Sequence, residues 1–227
     1  MRRVLSAGLL FWLVFSVPCT EAALISYSDT LTGTPPQTTG YVDKGDLDLN
    51  KFNTSLGTLT KVTLTFTNYF DWKGFAENMS TSSGATFTQT IQNQRVQITQ
   101  DATTFLTDSS SFLNSWSLGV YDNVLDFAGT SGITASNSST QNTVTFVYTG
   151  TFMAPFIGSG FSTFDVLSGA DLFKLQGGGN MAMGSSDKFT AGGSINYEYT
   201  PVPIPAPAWL LGSGLLSLVG IRRRFGK

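Results

Sequence analysis

The chain has no histidine in its 227 residues and a single cysteine, Cys19. Without imidazole there is no Ser-His-Asp triad, no usual general base near neutral pH and none of the commonest zinc ligand. With one thiol there is no disulfide, and Cys-His nucleophiles and thiolate metal sites are excluded as well. Glutamate is scarce: between Ala23 and Thr200 only Glu77 and Glu198 occur, beside twelve aspartates whose spacing singles out no pair. No stretch there sustains a helical period for three turns, and the best candidate for even a short helical turn is Ser109–Trp116. The chemistry left open is that of carboxylates, as in a two-aspartate glycosidase, or of a serine activated by a lysine. No catalytic residues stand out, and no cofactor is implied.

What the chain does have is concentrated at its ends. Arg2 and Arg3 precede an apolar stretch from Val4 to Val17, then Pro18, then a polar segment closing on Ala22 and Ala23. That is the three-part layout of a secretory signal peptide over residues 1–22, with signal peptidase cutting between Ala22 and Ala23. Its roughly 14 apolar residues fall short of the ~20 that an uncleaved spanning helix needs. A lipoprotein reading would rest on Cys19, but Pro18 stands where a small residue belongs. Cys19 therefore leaves with the leader.

Between the ends the balance of charge is acidic. From Ala23 to Thr200 seven basic residues face fourteen carboxylates, while the arginines cluster in the terminal segments. A body of that sign is repelled by phosphate backbones, which argues against nucleic acid as a partner. About 180 residues are enough to bury a core without crosslinks.

Periodicity makes this body all-β. Lys61 to Thr67 alternates, with Val62, Leu64 and Phe66 on one face and Lys61, Thr63, Thr65 and Thr67 on the other. Similar runs recur in Thr86–Ile91, Val96–Ile98, Thr143–Thr149 and Ile195–Tyr199, rich in threonine, valine and aromatics. Turn-forming clusters separate them at Ser80–Gly84, Gly129–Gly132, Ala135–Asn142 and Gly177–Asn180. Many short strands without a linker predict one antiparallel β-sandwich over residues 23–200, jelly-roll or Ig-like, flanked by an N-terminal signal helix and a C-terminal transmembrane sorting helix.

Within the body, three features invite a sharper reading. Asp46, Asp48 and Asn50 put oxygen at every second residue, as a calcium loop does, but Lys51 and Gly57 stand where an EF-hand needs its glycine and its glutamate. Simple alternation, with Leu47 and Leu49 turned inward, accounts for the same residues. Trp72 and Tyr69, with Phe70 and Phe75, offer rings for a sugar-stacking platform, or else close the end of the sandwich. Asn53, Asn78 and Asn137 each begin a glycosylation sequon. The glycines at 177–179 lack the lysine and hydroxyl of a phosphate loop and read as a flexible connection.

The carboxyl end reads as an address. Val202, Pro203, Pro205, Ala206 and Pro207 form a proline-rich junction, an apolar span follows to Ile221, and Arg222, Arg223 and Arg224 close it. The prolines keep the junction extended and open to a processing enzyme. A span over 204–221 reaches about 27 Å, enough for a thin bilayer, and the arginines orient it with the body outside the inner membrane.

These residues resemble a known family. The Val202-Pro203-x-Pro205-Ala206 motif, the Trp209, Gly212 and Gly214 core and the closing arginines are similar to the PEP-CTERM sorting signal of Gram-negative bacteria, although Ile204 stands where that family usually has glutamate. The body, through Phe52–Leu59, Phe156–Gly160 and Tyr197–Pro201, resembles the choice-of-anchor E domain found upstream of such signals. The resemblance implies processing by an exosortase-like enzyme and delivery to the cell surface or extracellular matrix. The expectation is a non-enzymatic surface or matrix protein. A carbohydrate-binding module for exopolysaccharide and a carboxylate-dependent glycosidase are the alternatives.

Overall fold

The computed structural model describes residues 21–202. Most of the expected leader over residues 1–22 (all but Glu21 and Ala22) and the expected sorting segment from Pro203 onward, with its expected transmembrane helix, lie outside the described residues. Among those described, no helix is long and apolar enough to cross a membrane.

Among the described residues, eleven strands form two antiparallel sheets: β1 Ala23–Gly33, β2 Val42–Asn50, β3 Gly57–Asn78, β4 Ala85–Gln100, β5 Thr103–Leu118, β6 Gly132–Ser138, β7 Asn142–Tyr148, β8 Phe161–Gly169, β9 Leu172–Gly177, β10 Met181–Ser185 and β11 Lys188–Pro201. Short 3-10 turns occupy Thr54–Leu56 and Gly150–Phe156. In the first sheet β3 is the spine: β11 and then β10 run along one flank, β7 and then β6 along the other, and β1 pairs with β11. The second sheet orders β2, β8, β4 and β5, with β9 continuing the flank of β4 that β8 begins. The sandwich expected from periodicity is present.

The alternation in the sequence becomes the core directly. Val62, Leu64, Phe66 and Phe70 of β3 face Leu47, Leu49, Val96, Ile98, Phe164 and Val166 across the layers, all fully buried. Each such side chain contributes about 1.5–3 kcal/mol relative to exposure, which is how the body holds together without a crosslink. In β4 the inward parity changes from Phe87, Gln89 and Ile91 to Gln94, Val96 and Ile98. The cause is a bulge between Ile91 and Gln94, where Asn93 takes φ 48° and lets one face of the strand stay buried on both sides of the irregularity.

Ser109–Trp116 is not helical, contrary to the expectation from sequence; it is the second half of β5. Ser110, Phe112 and Trp116 are half-buried while Ser109, Ser111, Leu113 and Ser115 are exposed. Pairing with β4, Ile91 opposite Phe112 and Phe87 opposite Trp116, supplies what three consecutive serines cannot signal locally.

Candidate functional site

The cleavage and sorting residues expected from sequence flank the body, the sorting residues from Pro203 onward lying outside the described residues, and the fold brings the body's two ends together. Glu21 and Ala22 are exposed ahead of β1, and Ala23 is the first residue of that strand, opposite Tyr199 of β11. At the other end β11 finishes at Pro201, and the Val202 N–H donates to the Leu56 carbonyl at 3.1 Å. Gly57 lets the strands close there, because a Cβ on it would collide with the Thr200 carbonyl. Just before it, Asn53 Oδ1 accepts from the Ser55 N–H at 3.0 Å and fixes the turn that presents Leu56.

A second segment packs beside this exit. Phe52 N–H donates to the Phe156 carbonyl at 2.8 Å, Gly158 N–H to the Phe52 carbonyl at 3.0 Å and Lys51 N–H to the Gly160 carbonyl at 2.9 Å. Beneath them the Tyr197 hydroxyl donates to the Asn50 carbonyl at 2.8 Å, and burial, followed by the charge of Tyr27, pushes its pKa upward. The surface above is apolar: Leu56, Ile157, Phe161 and Val202 are exposed, and Phe152 is 74% exposed. Residues 51–60, 149–161 and 199–202 contain Lys51 and no carboxylate, within a body of fourteen. Glu198 of β11, opposite Leu24 and ion-paired with Lys61, and Asp101 in the β4–β5 turn are the acids nearest this end. A cavity of about 500 Å³ opens here, with Tyr27, Asn50, Lys51 and Asn53 in its wall.

Of the two roles open to Trp72 and Tyr69, the stacking platform is formed by neither residue. Trp72 is 5% exposed, its Nε1–H donates to Gln94 Oε1 at 2.6 Å, and its ring stacks on Phe112 and Phe70 inside the core. Tyr69 is half-buried on the opposite face of β3, since the two positions differ in parity along the strand. Neither joins the other in one surface.

Asp46, Asp48 and Asn50 point outward from β2 with Leu47 and Leu49 buried between them, the strand reading of that segment. Asp48 Oδ1 accepts from the Thr163 hydroxyl at 2.7 Å. The Asp46 carboxyl is pushed above its ordinary range by desolvation, then by the charges of Asp165, Asp43 and Asp48. Among the described residues no three acidic, histidine or cysteine side chains converge as a metal cage. Asn53 and Asn137 are exposed, but Asn78 is fully buried, its amide donating to the carbonyls of Ser83 at 2.8 Å and Gly119 at 2.6 Å. No glycan can be attached to Asn78 in the folded chain.

Other polar features had no signal in the sequence. Arg95 is buried and donates to the Thr38, Gly40 and Asn93 carbonyls and to Asp171 Oδ1 at 2.6 Å, pinning the β1–β2 connection to the second sheet. Hydrogen bonds from Arg95 and Asn93 hold the Asp171 carboxyl below its usual range. Asp187 is buried against Gln89 and Ser185, in the wall of a cavity of about 320 Å³, and desolvation raises its pKa despite those hydrogen bonds. On the outer face of the first sheet a trough of about 190 Å³ is lined by Ser28, Asp29, Thr30, Thr65, Thr67 and Ser194. Its floor is Gly192, where a Cβ would sit 2.7 Å from the Thr67 hydroxyl. Each of these cavities has at most one carboxylate in its wall, not the facing pair a glycosidase needs.

No family model matches the chain, and no curated protein matches it. Among solved structures it is similar to infectious bursal disease virus of the Gx strain, at 10% identity and a TM-score of 0.23, over 91% of this chain and 50% of that one. Particles of T=1 symmetry derived from the same virus match at 11% identity and a TM-score of 0.12, over 91% and 48%. The chain spans about half the length of those viral chains. At such scores no function passes from them to this protein.

Proposed function

We propose that this chain is an exported, non-enzymatic surface or matrix module, cut from its leader at Ala22–Ala23 and sorted through a PEP-CTERM-like carboxyl-terminal signal by an exosortase-type enzyme. The observation that carries this reading is the coincidence of boundaries. β1 begins at Ala23 and β11 ends at Pro201, so cleavage at both proposed sites leaves every strand whole. The two ends of the body are neighbours, Ala23 opposite Tyr199, as the reading of one membrane-facing end requires.

The character of that end supports the same orientation. Leu56, Phe152, Ile157, Phe161 and Val202 are exposed there, beside Lys51 and the Lys61–Glu198 ion pair. Apolar side chains and a cation suit the interface of an anionic membrane, whereas the rest of the body is acidic and repelled by it. We read the sandwich as jelly-roll-like, its chain passing between layers, with a signal helix before it and a transmembrane sorting helix over 204–221 after it. Mass spectrometry of the processed protein tests the reading: termini near Ala23 and within residues 203–206 support it. An intact Arg222-Arg223-Arg224 tail in the final product contradicts it.

A second reading draws on the trough over Gly192. Its hydroxyls, Ser28, Thr30, Thr65, Thr67 and Ser194, can exchange hydrogen bonds with an exopolysaccharide chain lying on the first sheet. Polysaccharide retention that survives Thr65→Val and Thr67→Val removes that reading and leaves the sorted module.

A further inference from the structure

Glu77 is the most unusual side chain in the body. It stands on the outer face of β3, opposite Gly132 of β6 and Ala182 of β10, yet it is 0% exposed. Both carboxylate oxygens lack a hydrogen-bond partner, and neither ion pair among the described residues includes it. Its cover is the connection between β5 and β6. Phe127 packs edge-on against Phe75 at 5.1 Å, the Thr134 hydroxyl donates to the Phe127 carbonyl at 3.2 Å, and Asn78 N–H donates to the Ser131 carbonyl at 2.9 Å. The segment is tied down, so Glu77 is not buried by chance closure of a loose loop.

A buried carboxylate without a partner costs several kcal/mol. Something must neutralise it. No lysine or arginine occurs anywhere from Gly119 to Asn142, while Asp122 and Asp126 add negative charge to the covering segment. A proton would remove the charge yet give neither oxygen a partner in the protein, whereas a cation would remove the charge and coordinate both. A third oxygen faces the same spot: a Cβ on Gly132 would collide at once with Glu77 Oε2 and with the nitrogen and carbonyl oxygen of Ala128. The bare Cα of Gly132 is what lets these groups meet.

We propose that Glu77 and the Gly119–Gly132 segment bind a divalent cation, calcium by the chemistry of the donors. Both oxygens of Glu77 and the Ala128 carbonyl supply hard oxygen ligands, and Asp122 and Asp126 on the covering segment add attraction for a cation. Oxygen-only donors from a carboxylate and an irregular backbone suit calcium, whereas magnesium demands stricter geometry and gives up its water reluctantly. With one buried carboxylate, the affinity falls in the range of about 10⁻⁴–10⁻³ M found in extracellular modules. The inference is independent of how the chain is sorted.

Thermal unfolding of the full chain in detergent, with EDTA, magnesium or calcium at millimolar concentration, is the test. Calcium should raise the Tm by about 3–8 °C, and magnesium by much less. Glu77→Gln should lose the calcium response and, in EDTA, melt no lower than the unsubstituted chain, because it carries no buried charge to neutralise. Calorimetric titration of the unsubstituted chain should show one calcium per chain, removed by EDTA. Absence of binding heat and of a Tm shift overturns the proposal. So does a Glu77→Gln chain that responds equally, or a chain in EDTA that gains stability as pH falls while remaining indifferent to calcium, which would make the partner a proton.

Discussion

At the scale of single residues, burial decides what a side chain is for, and Trp72 is the clearest case. A tryptophan followed by a lysine and glycine reads as well for a surface as for a core. Its Nε1–H finds Gln94 and its ring is held between Phe70 and Phe112, so it serves packing. Trp72→Ala is expected to cost about 3–5 kcal/mol in denaturant unfolding. A loss of polysaccharide retention at unchanged stability would contradict this role. Asn78 behaves likewise: the sequon is legible, but the amide already donates to two carbonyls. Asn78→Ala leaves both acceptors without their donor and is expected to destabilise by about 1–3 kcal/mol, measured the same way.

At the scale of elements, alternation of threonine with apolar residues made the centre of β3, the halves of β4, and β7 and β11 readable. The extent of β3 was not. Past Thr67 the inward row continues through Asn68, Phe70, Trp72, Gly74 and Ala76 to Asn78, mixing polar, aromatic and small residues as the partners change from β11 to β10 and from β7 to β6. β5 was hidden for a related reason, since its serines acquire an inside and an outside only opposite β4. The meeting of β3 with β11 depends on Gly57, which has φ 155° and no room for a Cβ. Gly57→Ala should cost about 1–3 kcal/mol and loosen the junction at Val202, seen as faster amide exchange there than at Leu64.

The edge of the second sheet carries a pH dependence. Asp46 lies directly opposite Asp165 across β2 and β8, and its carboxyl is raised by desolvation and then by Asp165, Asp43 and Asp48. A carboxyl raised in the folded state penalises folding once it is ionised, so the penalty is present at neutral pH and vanishes as pH falls below the ordinary value of 3.8. Asp46→Asn should therefore raise the Tm at pH 7 and leave it unchanged near pH 3, with the gain shrinking in salt because the site is open to solvent. An equal gain at both pH values would mean that charge is not the cause.

At the scale of the whole molecule, the account rests on where the ends are. The proposed leader and carboxyl-terminal signal rest on local patterns of charge, hydropathy and proline. The adjacency of the body's two ends was not legible in the sequence, because it arises from the pairing of β1 with β11, more than 170 positions apart at Ala23 and Tyr199. That pairing gives the body one end that holds Ala23, Val202, exposed apolar side chains, Lys51 and the Lys61–Glu198 ion pair. The central claim is that the protein is delivered as this module with both terminal segments removed. Intact-mass spectrometry of the protein recovered from the cell surface or medium tests it most directly. The account predicts one species running from Ala23 to a residue between Pro203 and Ala206; a species that retains Arg222-Arg223-Arg224 would contradict it.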